Sequence, residues 1–346
     1  SLSNRSHSRS NGHDLNVGFN YSDDTWMFNA SLGVTPQKRT IDRKVGKLYA
    51  DTTMRTIDYQ PMIWLSWRKK KMRVSLNYNG RTRQPSLSDL MPLTDNSDPL
   101  YITRGNPDLK QMFMHTMHVS FQHPSKGISA NLGWQMEKNS VTQVVLYDVQ
   151  TGGRETYPIN INGNWNTYGS ADWWKRFGHF SLKLSTSGRH SNRVSLINED
   201  RSQQPEKSTT RDTGLNCEMA ASYQPTWGGF DFSTSWDYQY SLNSLNDNNT
   251  YTRYYNFRFD GYVDFPFGLQ LRTDAGYILR SGTNIQKGED DEIVWNARAT
   301  WRFLKQRKAE LSACWADILG KRKSYARMAT SDGFYESRTQ EIKVYF

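Results

Sequence analysis

Residues 230–240 alternate strictly between two kinds of side chain. One parity is mostly aromatic, and the other carries charged, amide or hydroxyl groups. The first set is Phe230, Phe232, Thr234, Trp236, Tyr238 and Tyr240, and the second is Asp231, Ser233, Ser235, Asp237 and Gln239. Because successive side chains of a strand point to opposite faces, the segment predicts a strand with an apolar medium on one side and water on the other. A membrane-crossing strand needs this pattern over about 9–11 residues.

The same alternation recurs along the chain and marks about fifteen strands. The fold class that it predicts is all-β, a transmembrane antiparallel β-barrel. The predicted strands are Leu15–Tyr21, Trp26–Val34, Ile57–Trp67, Met72–Tyr78, His115–Phe121, Ile128–Met136, Trp165–Trp173, Phe180–Thr186, Leu215–Tyr223, Phe230–Tyr240, Phe257–Val263, Leu269–Leu279, Ile293–Phe303, Ala309–Trp315 and Ser337–Phe346.

Tight turns alternate with longer polar connections between these strands. The longer ones lie near residues 36–53, 81–110, 138–160, 188–209, 242–250, 281–290 and 317–333. Short periplasmic turns and long exterior loops are typical of outer-membrane barrels. A soluble sandwich or propeller also alternates its strand faces, but it does not require this asymmetry of loop length.

The predicted strand count is odd, because the first and last strands run in the same direction. Bacterial single-chain barrels have an even number of strands. Either residues 1–13 contain a further strand, or the chain is the C-terminal part of a larger barrel. The polar segment Ser1–Ser10 resembles the tail of a loop and favours the second alternative. We therefore interpret residues 1–346 as one barrel region.

Composition agrees with a barrel that lacks a packed apolar centre. Hydrophobic residues make up only 36% of the chain, yet aromatic residues reach 13%, and Trp and Tyr favour the boundary between lipid and water. The sequence has no apolar run long enough for a transmembrane helix and begins without a signal peptide, so we expect a mature or trimmed chain.

The net charge of +10 raises the question of a polyanionic partner. The basic residues gather in predicted turns, at Arg68–Lys71, Lys305–Lys308 and Lys321–Lys323. This placement is typical of solvated turns and of contact with lipid and lipopolysaccharide phosphates at the membrane surface, and it argues against nucleic acid.

The segment from Asn77 to Lys110 carries the most specific motifs. Arg83-Gln84-Pro85-Ser86 leads out of a predicted strand, Asp98-Pro99-Leu100 lies in the middle, and Gly105-Asn106-Pro107-Asp108-Leu109-Lys110 leads into the next strand. In order and spacing, these pieces resemble the barrel region of TonB-dependent receptors of the Bacteroidetes type. The resemblance extends over about residues 55 to 346, with a weaker match at Asp317-Ile318-Leu319.

The resemblance implies a full-length receptor with a barrel of about 22 strands, of which this chain would be the C-terminal part. It also implies a plug domain and a TonB contact segment in a missing N-terminal part. The ending Val344-Tyr345-Phe346 resembles the C-terminal signal read by the barrel-assembly machinery, with Phe346 as its last residue. A surface lipoprotein is a further possible partner.

The expected function is nutrient uptake across the bacterial outer membrane. Two alternatives remain open from the sequence: a passive porin or plug-less barrel of a surface complex, and a structural or adhesive surface protein.

Two groups of residues are candidate sites. The first is the predicted extracellular loop, represented by Arg83, Pro85, Asp98, Pro99, Gly105, Asn106 and Pro107. Its prolines and apolar residues predict an ordered, packed loop. The second is a set of charges that alternate with the outward residues of two strands. This predicted lumen wall comprises Arg272, Asp274, Arg280, Arg298 and Arg302. It either keeps the lumen wet and packs against a plug, or it binds an anionic substrate.

Nothing in the sequence indicates an enzyme, a cofactor or a metal site. The histidines His115 and His118 fall on opposite faces of their predicted strand, and Gly152-Gly153 lacks the strand–loop–helix context of a phosphate site. No serine, histidine and aspartate group stands out for catalysis. We therefore expect no catalytic residue, no metal and no cofactor. Cys217 and Cys314 lie on opposite parities, which argues against a disulfide between them.

Overall fold

A computed structural model describes residues 4–45, 48–91, 94–95, 98, 100–147, 152–197, 205–245, 249–283, 285, 290–304, 308–322, 324–330 and 333–339. Strands dominate this part of the chain. They are β1 (Asn4–Gly12), β2 (Leu15–Ser22), β3 (Trp26–Val45), β4 (Leu48–Lys69), β5 (Met72–Arg83), β6 (Thr94–Asp95), β7 (Tyr101–Arg104), β8 (Met112–His123), β9 (Ile128–Lys138), β10 (Ser140–Tyr147), β11 (Arg154–Ile161), β12 (Trp165–Phe177), β13 (Phe180–Ile197), β14 (Glu206–Tyr223), β15 (Gly228–Asn243), β16 (Thr250–Asp264), β17 (Leu269–Gly282), β18 (Asp291–Phe303), β19 (Ala309–Trp315), β20 (Ser324–Thr330) and β21 (Gly333–Thr339).

Two short helical segments interrupt the strands: α1 (Leu87–Leu90) and a 3₁₀ turn (Pro124–Lys126). No helix among the described residues is long and apolar enough to cross a membrane.

The main sheet has 15 strands in the order β1-β3-β4-β5-β8-β9-β12-β13-β14-β15-β16-β17-β18-β19, with β2 also paired to β3. Pairing along it is antiparallel wherever its register is defined, as between β15 and β16, where Phe232 faces Phe259 and Trp236 faces Tyr255. The predicted all-β class, with about fifteen strands, is confirmed.

The chain divides into two compact units. The first consists of residues 1–122, 131–168 and 190–211, and the second of residues 123–130, 169–189 and 212–346. In the second unit, the aromatic parity of β15–β18 forms one face, on which Phe232, Phe257 and Trp295 are each about two-fifths exposed. Apolar residues exposed on one face of a sheet fit contact with lipid.

Several predicted polar connections contain strands in the structure. Most of 36–53 is strand, because β3 and β4 continue to pair as far as Val45 and Leu48. The predicted connection 188–209 is shortened in the same way by β13 and β14. The connection 138–160 contains the hairpin β10–β11. The connection 317–333 contains β20, and the predicted last strand Ser337–Phe346 begins earlier, as β21 (Gly333–Thr339), which pairs with β20 in a separate two-stranded sheet. The added parts of β3 and β4 are mostly polar in sequence and so lack a clear alternation, but backbone pairing does not depend on it.

The prediction that Ser1–Ser10 is the tail of a loop is also wrong, because Asn4–Gly12 forms β1. It pairs with the second half of β3, from Asn4 opposite Val45 to Gly12 opposite Gln37. The first half of β3 pairs with β2, from Leu15 opposite Val34 to Ser22 opposite Met27. Strands β1 and β2 therefore follow one another along the same edge of β3 and do not occupy two separate positions in the sheet.

Candidate functional site

The motif segment, Asn77–Lys110, leaves the end of β5 at Gln84 and Pro85, where the side chain of Gln84 contacts several polar groups. The Gln84 side-chain nitrogen lies within hydrogen-bond distance of three acceptors, which its two N–H groups share: the carboxylate of Asp58, Thr56 Oγ1 at 3.1 Å and Gln111 Oε1 at 3.1 Å. The side chain of Asp58 also accepts a hydrogen bond from Gln37 Nε2 at 2.7 Å. A single glutamine thus ties the beginning of the motif segment to β4 and to the chain entering β8.

A tight turn follows in which Ser86 caps α1. The Ser86 hydroxyl accepts a hydrogen bond from the backbone N–H of Asp89 at 3.2 Å, which satisfies one donor of the short helix. Leu90 and Met91 are almost fully buried. Gly105 lies directly against this turn, since a Cβ at position 105 would be 1.9 Å from the carbonyl oxygen of Met91.

Asn106 connects the motif segment to the next long connection along the chain. Its backbone N–H donates to the carbonyl of Asp89 at 2.5 Å, and its side-chain amide donates to the carbonyl of Pro158 at 3.0 Å. Its side-chain oxygen accepts from the N–H of Asp108 at 3.0 Å, which shapes the turn that contains Pro107.

Asn160, in β11, forms hydrogen bonds that hold the C-terminal end of the motif segment. Its Oδ1 accepts from the backbone N–H of Lys110 at 2.7 Å, and its Nδ2 donates to the carbonyls of Lys110 and Asn139, each at 2.9 Å. These contacts fix the exit of the motif segment against the base of the β10–β11 hairpin.

The two connections also share a small sheet, ordered β10-β11-β7-β6. Strand β11 pairs in parallel with β7, placing Arg154 opposite Tyr101 and Thr156 opposite Thr103. Arg104 forms an ion pair with Glu155 at 2.5 Å. Hydrophobic residues of the two connections are buried, and Leu90, Met91, Leu109 and Val144 are each at most 4% exposed. We call this unit of residues 84–110 and 139–161 the two-loop cap.

Arginine and tyrosine side chains form two cation–π pairs in the two-loop cap. The guanidinium of Arg104 lies 4.5 Å from the ring centre of Tyr157, and that of Arg154 lies 4.8 Å from the ring centre of Tyr101. Tyr101 is itself 55% exposed. Such cation–π pairs are individually modest, but they hold polar and aromatic groups at a surface that a ligand could contact.

The predicted loop residues are therefore mostly brought together. Arg83 ends β5, Pro85 is buried, and Gly105 and Asn106 contact the α1 turn. Asp98 accepts a hydrogen bond from the N–H of Leu100 at 2.9 Å. Pro99 and the predicted assembly signal Phe346 lie outside the described residues.

The predicted lumen wall divides into three environments in the second unit. Arg272, Asp274 and Arg298 line one cavity of about 540 Å³. Arg280 is instead buried in an ion pair with Glu292 at 2.6 Å. Arg302 forms an exposed ion pair with Glu310 at 2.8 Å.

Sequence reasoning missed several residues that shape these two places. They are Asp58, Pro158 and Asn160 in the first unit, and Arg258, Asp260, Cys314 and Arg322 in the second. The polar parity of β16 could have indicated Arg258 and Asp260, whereas Asn160 had no local signal because its partner Lys110 lies 50 residues away.

Among the described residues, no group of three or more His, Cys, Asp or Glu side chains could hold a metal ion. His115 is engaged with Tyr78, with 3.0 Å between Nδ1 and the phenol oxygen. Cys217 and Cys314 are both free and exposed.

Comparison with known proteins gives one informative result. A family model described as an outer membrane protein beta-barrel family matches residues 55–239, which is more than half of the chain. A comparison with curated proteins gives no match.

Among solved structures, the chain is similar to OmpT, an outer membrane protein of Vibrio cholerae. The loop L8 deletion mutant has 8% identity and a TM-score of 0.29, over 81% of this chain and 95% of that chain. The in-vitro folded trimer form has 8% identity and a TM-score of 0.30, over 90% of this chain and 99% of that chain. The assignment therefore rests on the family match: this chain is a bacterial outer-membrane protein and belongs to the outer membrane protein beta-barrel family.

Proposed function

We propose that this chain is the barrel portion of a TonB-dependent receptor that imports a nutrient across the outer membrane. The observation that carries the proposal is the two-loop cap. The motif pieces that resemble the TonB-dependent receptors, Arg83–Ser86 and Gly105–Lys110, are the residues that build its contacts.

The geometry gives those motif residues physical roles. Gly105 permits the close approach to Met91, and Asn106 joins the α1 turn to the carbonyl of Pro158. A short passive loop would need neither contact. A rigid structure in a connection between strands is suited to shaping a binding cavity, because ordering costs are met before the ligand arrives.

The proposal places the two-loop cap on the extracellular side, since long connections of outer-membrane barrels face the exterior. TonB and a plug would act through parts of the protein outside residues 1–346. Lipopolysaccharide would surround the aromatic face, the barrel-assembly machinery would insert the chain, and a surface lipoprotein could cover the cap. The proposal assigns the chain no enzymatic activity, no cofactor and no nucleic-acid partner.

The proposed function is tested by measuring whether uptake of the nutrient requires TonB. Cells that express the full-length protein should bind and accumulate their nutrient, and deletion of TonB should abolish accumulation while leaving surface binding intact. The nutrient can be found by comparing growth on single carbon, peptide and metal-chelate sources with and without the protein.

The alternatives give different results. Accumulation that persists without TonB would identify a passive porin and contradict the proposal. Loss of cell attachment, with no change in uptake of any source, would instead indicate a structural or adhesive surface protein.

A further inference from the structure

Like charges face each other on the polar side of β16, β17 and β18. Arg272 is directly opposite Arg298, and Asp260 is directly opposite Asp274. Directly opposed like charges destabilise a sheet, so a set of two such pairs requires compensation.

Only some of the arginines in this set are paired with carboxylates. Arg272 donates to Asp260 at 3.2 Å, and Asp274 accepts from the side-chain amide of Asn296 at 2.7 Å. Arg298 has a cysteine as its partner, because its Nε donates to the sulfur of Cys314 at 3.1 Å. Within the part of the chain that the structure describes, no carboxylate lies within salt-bridge distance of Arg258 or Arg298.

These residues line one half-open cavity of about 540 Å³. Four arginines contribute to its wall, Arg258, Arg272, Arg298 and Arg322, against two aspartates, Asp260 and Asp274. Even without Arg322, the other three arginines outnumber the two aspartates, so the wall carries an excess of positive charge. The cavity volume falls within the range of about 300–1,000 Å³ that is common for small-ligand sites.

We propose that this cavity binds a small solute with carboxylate or phosphate groups. The planar guanidinium group presents paired N–H donors that match the oxygens of either anion. A bound oxyanion would accept hydrogen bonds from the guanidinium groups of the wall, and beside Arg298 it would offset the repulsion between Arg298 and Arg272. The site depends only on the polar face of the second unit, so it holds whether or not uptake is coupled to TonB.

Cys314 offers a direct reporter of the cavity. In the purified protein in detergent, Cys217→Ser leaves Cys314 as the cysteine to be modified. Its reaction rates with a sulfonate-bearing and a trimethylammonium-bearing thiosulfonate are measured, and their ratio is normalised to that of a free thiol in solution. Inorganic phosphate and citrate are then added at constant ionic strength, with sodium chloride as the reference.

We expect the normalised ratio to favour the anionic reagent by about five-fold or more, because positive potential concentrates anions. Phosphate or citrate should slow the reaction in a saturable way. Arg258→Gln and Arg298→Gln should each reduce the preference and weaken the protection. Arg302→Gln is the matched control, since Arg302 already has Glu310 as its partner, and it should change neither.

Three outcomes would overturn the proposal in protein that keeps its heat-modifiable gel shift. The first is a normalised ratio near one. The second is slowing by chloride equal to that by phosphate and citrate. The third is a Cys314 that resists both reagents, which would mean that polypeptide fills the cavity. Protection by citrate alone or by phosphate alone would support the site and identify which oxyanion it accepts.

Discussion

Arg280 and Glu292 form an ion pair that is almost sealed from solvent. Nη2 of Arg280 lies 2.6 Å from Oε2 of Glu292, and their side chains are 7% and 9% exposed. The two residues sit diagonally across β17 and β18, where Ile278 is opposite Glu292. Burial of these two charges is tolerated because the ion pair and its hydrogen bond replace their contacts with water.

Removing the Glu292 carboxylate should take from the buried Arg280 guanidinium the charged group that lies 2.6 Å away. Glu292→Gln is expected to lower the free energy of unfolding by about 3–5 kcal/mol, the usual loss when a buried pair is broken. Urea unfolding in detergent, followed by tryptophan fluorescence, measures the change.

Glu310→Gln is the matched control, since its pair with Arg302 is about half exposed and screened by water. It should shift the unfolding midpoint only slightly. Equal losses in the two variants would show that burial does not govern the strength of these pairs.

The face pattern of the sheet could be predicted from sequence because it has a local cause. The aromatic parity of residues 230–240 appears in the register as Phe232 opposite Phe259 and Trp236 opposite Tyr255. Two solvents on two faces impose alternation on every crossing strand, so each strand carries its own signal.

The two-loop cap and the arginine cavity could be predicted only in part. Asn106 was identified from its motif, but its partner Pro158 lies 52 residues away in a connection that was interpreted as a plain loop. The alternation of polar residues also assigned Arg272 to the polar face of its strand, but it did not show that Arg280 would pair with Glu292. Pairings of this kind depend on register and loop packing, which single-strand periodicity does not contain.

Asn160 should control the order of the motif segment. Asn160→Ala removes one acceptor and two donated hydrogen bonds, and it leaves the backbone groups of Lys110 without these partners. Local opening should become easier by about 1–3 kcal/mol, so trypsin should cut after Arg104 roughly 5- to 150-fold faster.

Mass spectrometry of the first fragments locates the cut in Asn160→Ala. Gln143→Ala serves as its control, because Gln143 is exposed and the one side-chain hydrogen bond that it forms with the described residues is a 3.4 Å contact with Asp89. Unchanged cleavage in Asn160→Ala would mean that the clamp does not order the segment.

Gly105 should tolerate no side chain. In Gly105→Ala the new Cβ meets the backbone carbonyl of Met91 at 1.9 Å, and backbone cannot rotate away as a flexible side chain can. We expect a loss of about 1–3 kcal/mol from overpacking, with α1 displaced from its position in the two-loop cap.

Hydrogen exchange of the amides near Leu90 and Asn106 would report this displacement. Gly276→Ala is the comparison variant, since a Cβ at position 276 has no atom within 4 Å. Protection that is equally retained in both variants would refute the close-approach role of Gly105.

Asp23 should make the β2–β3 turn sensitive to acid. Hydrogen bonds from the Tyr21 phenol at 2.6 Å, and from the backbone N–H groups of Trp26 at 2.6 Å and Thr25 at 2.7 Å, stabilise the charged carboxylate and lower its pKa in the folded protein. Since the unfolded chain keeps the ordinary value of about 3.9, the unfolded state binds the proton first as the pH falls. The stabilisation is therefore fully present above about pH 4 and is lost as the pH falls through the lowered pKa.

Asp23→Asn should remove this dependence while keeping an oxygen that can accept the backbone hydrogen bonds. We expect the wild type to be more stable than the variant at pH 7, and the difference in urea midpoint to shrink as the pH falls below 4. Asp24→Asn is the control: it removes a neighbouring carboxyl, for which no hydrogen bond is found among the described residues, and at pH 7 it should change the urea midpoint by less than Asp23→Asn does. A gap between the wild type and Asp23→Asn that widens towards low pH would reverse the sign of the linkage and contradict the role given to Asp23.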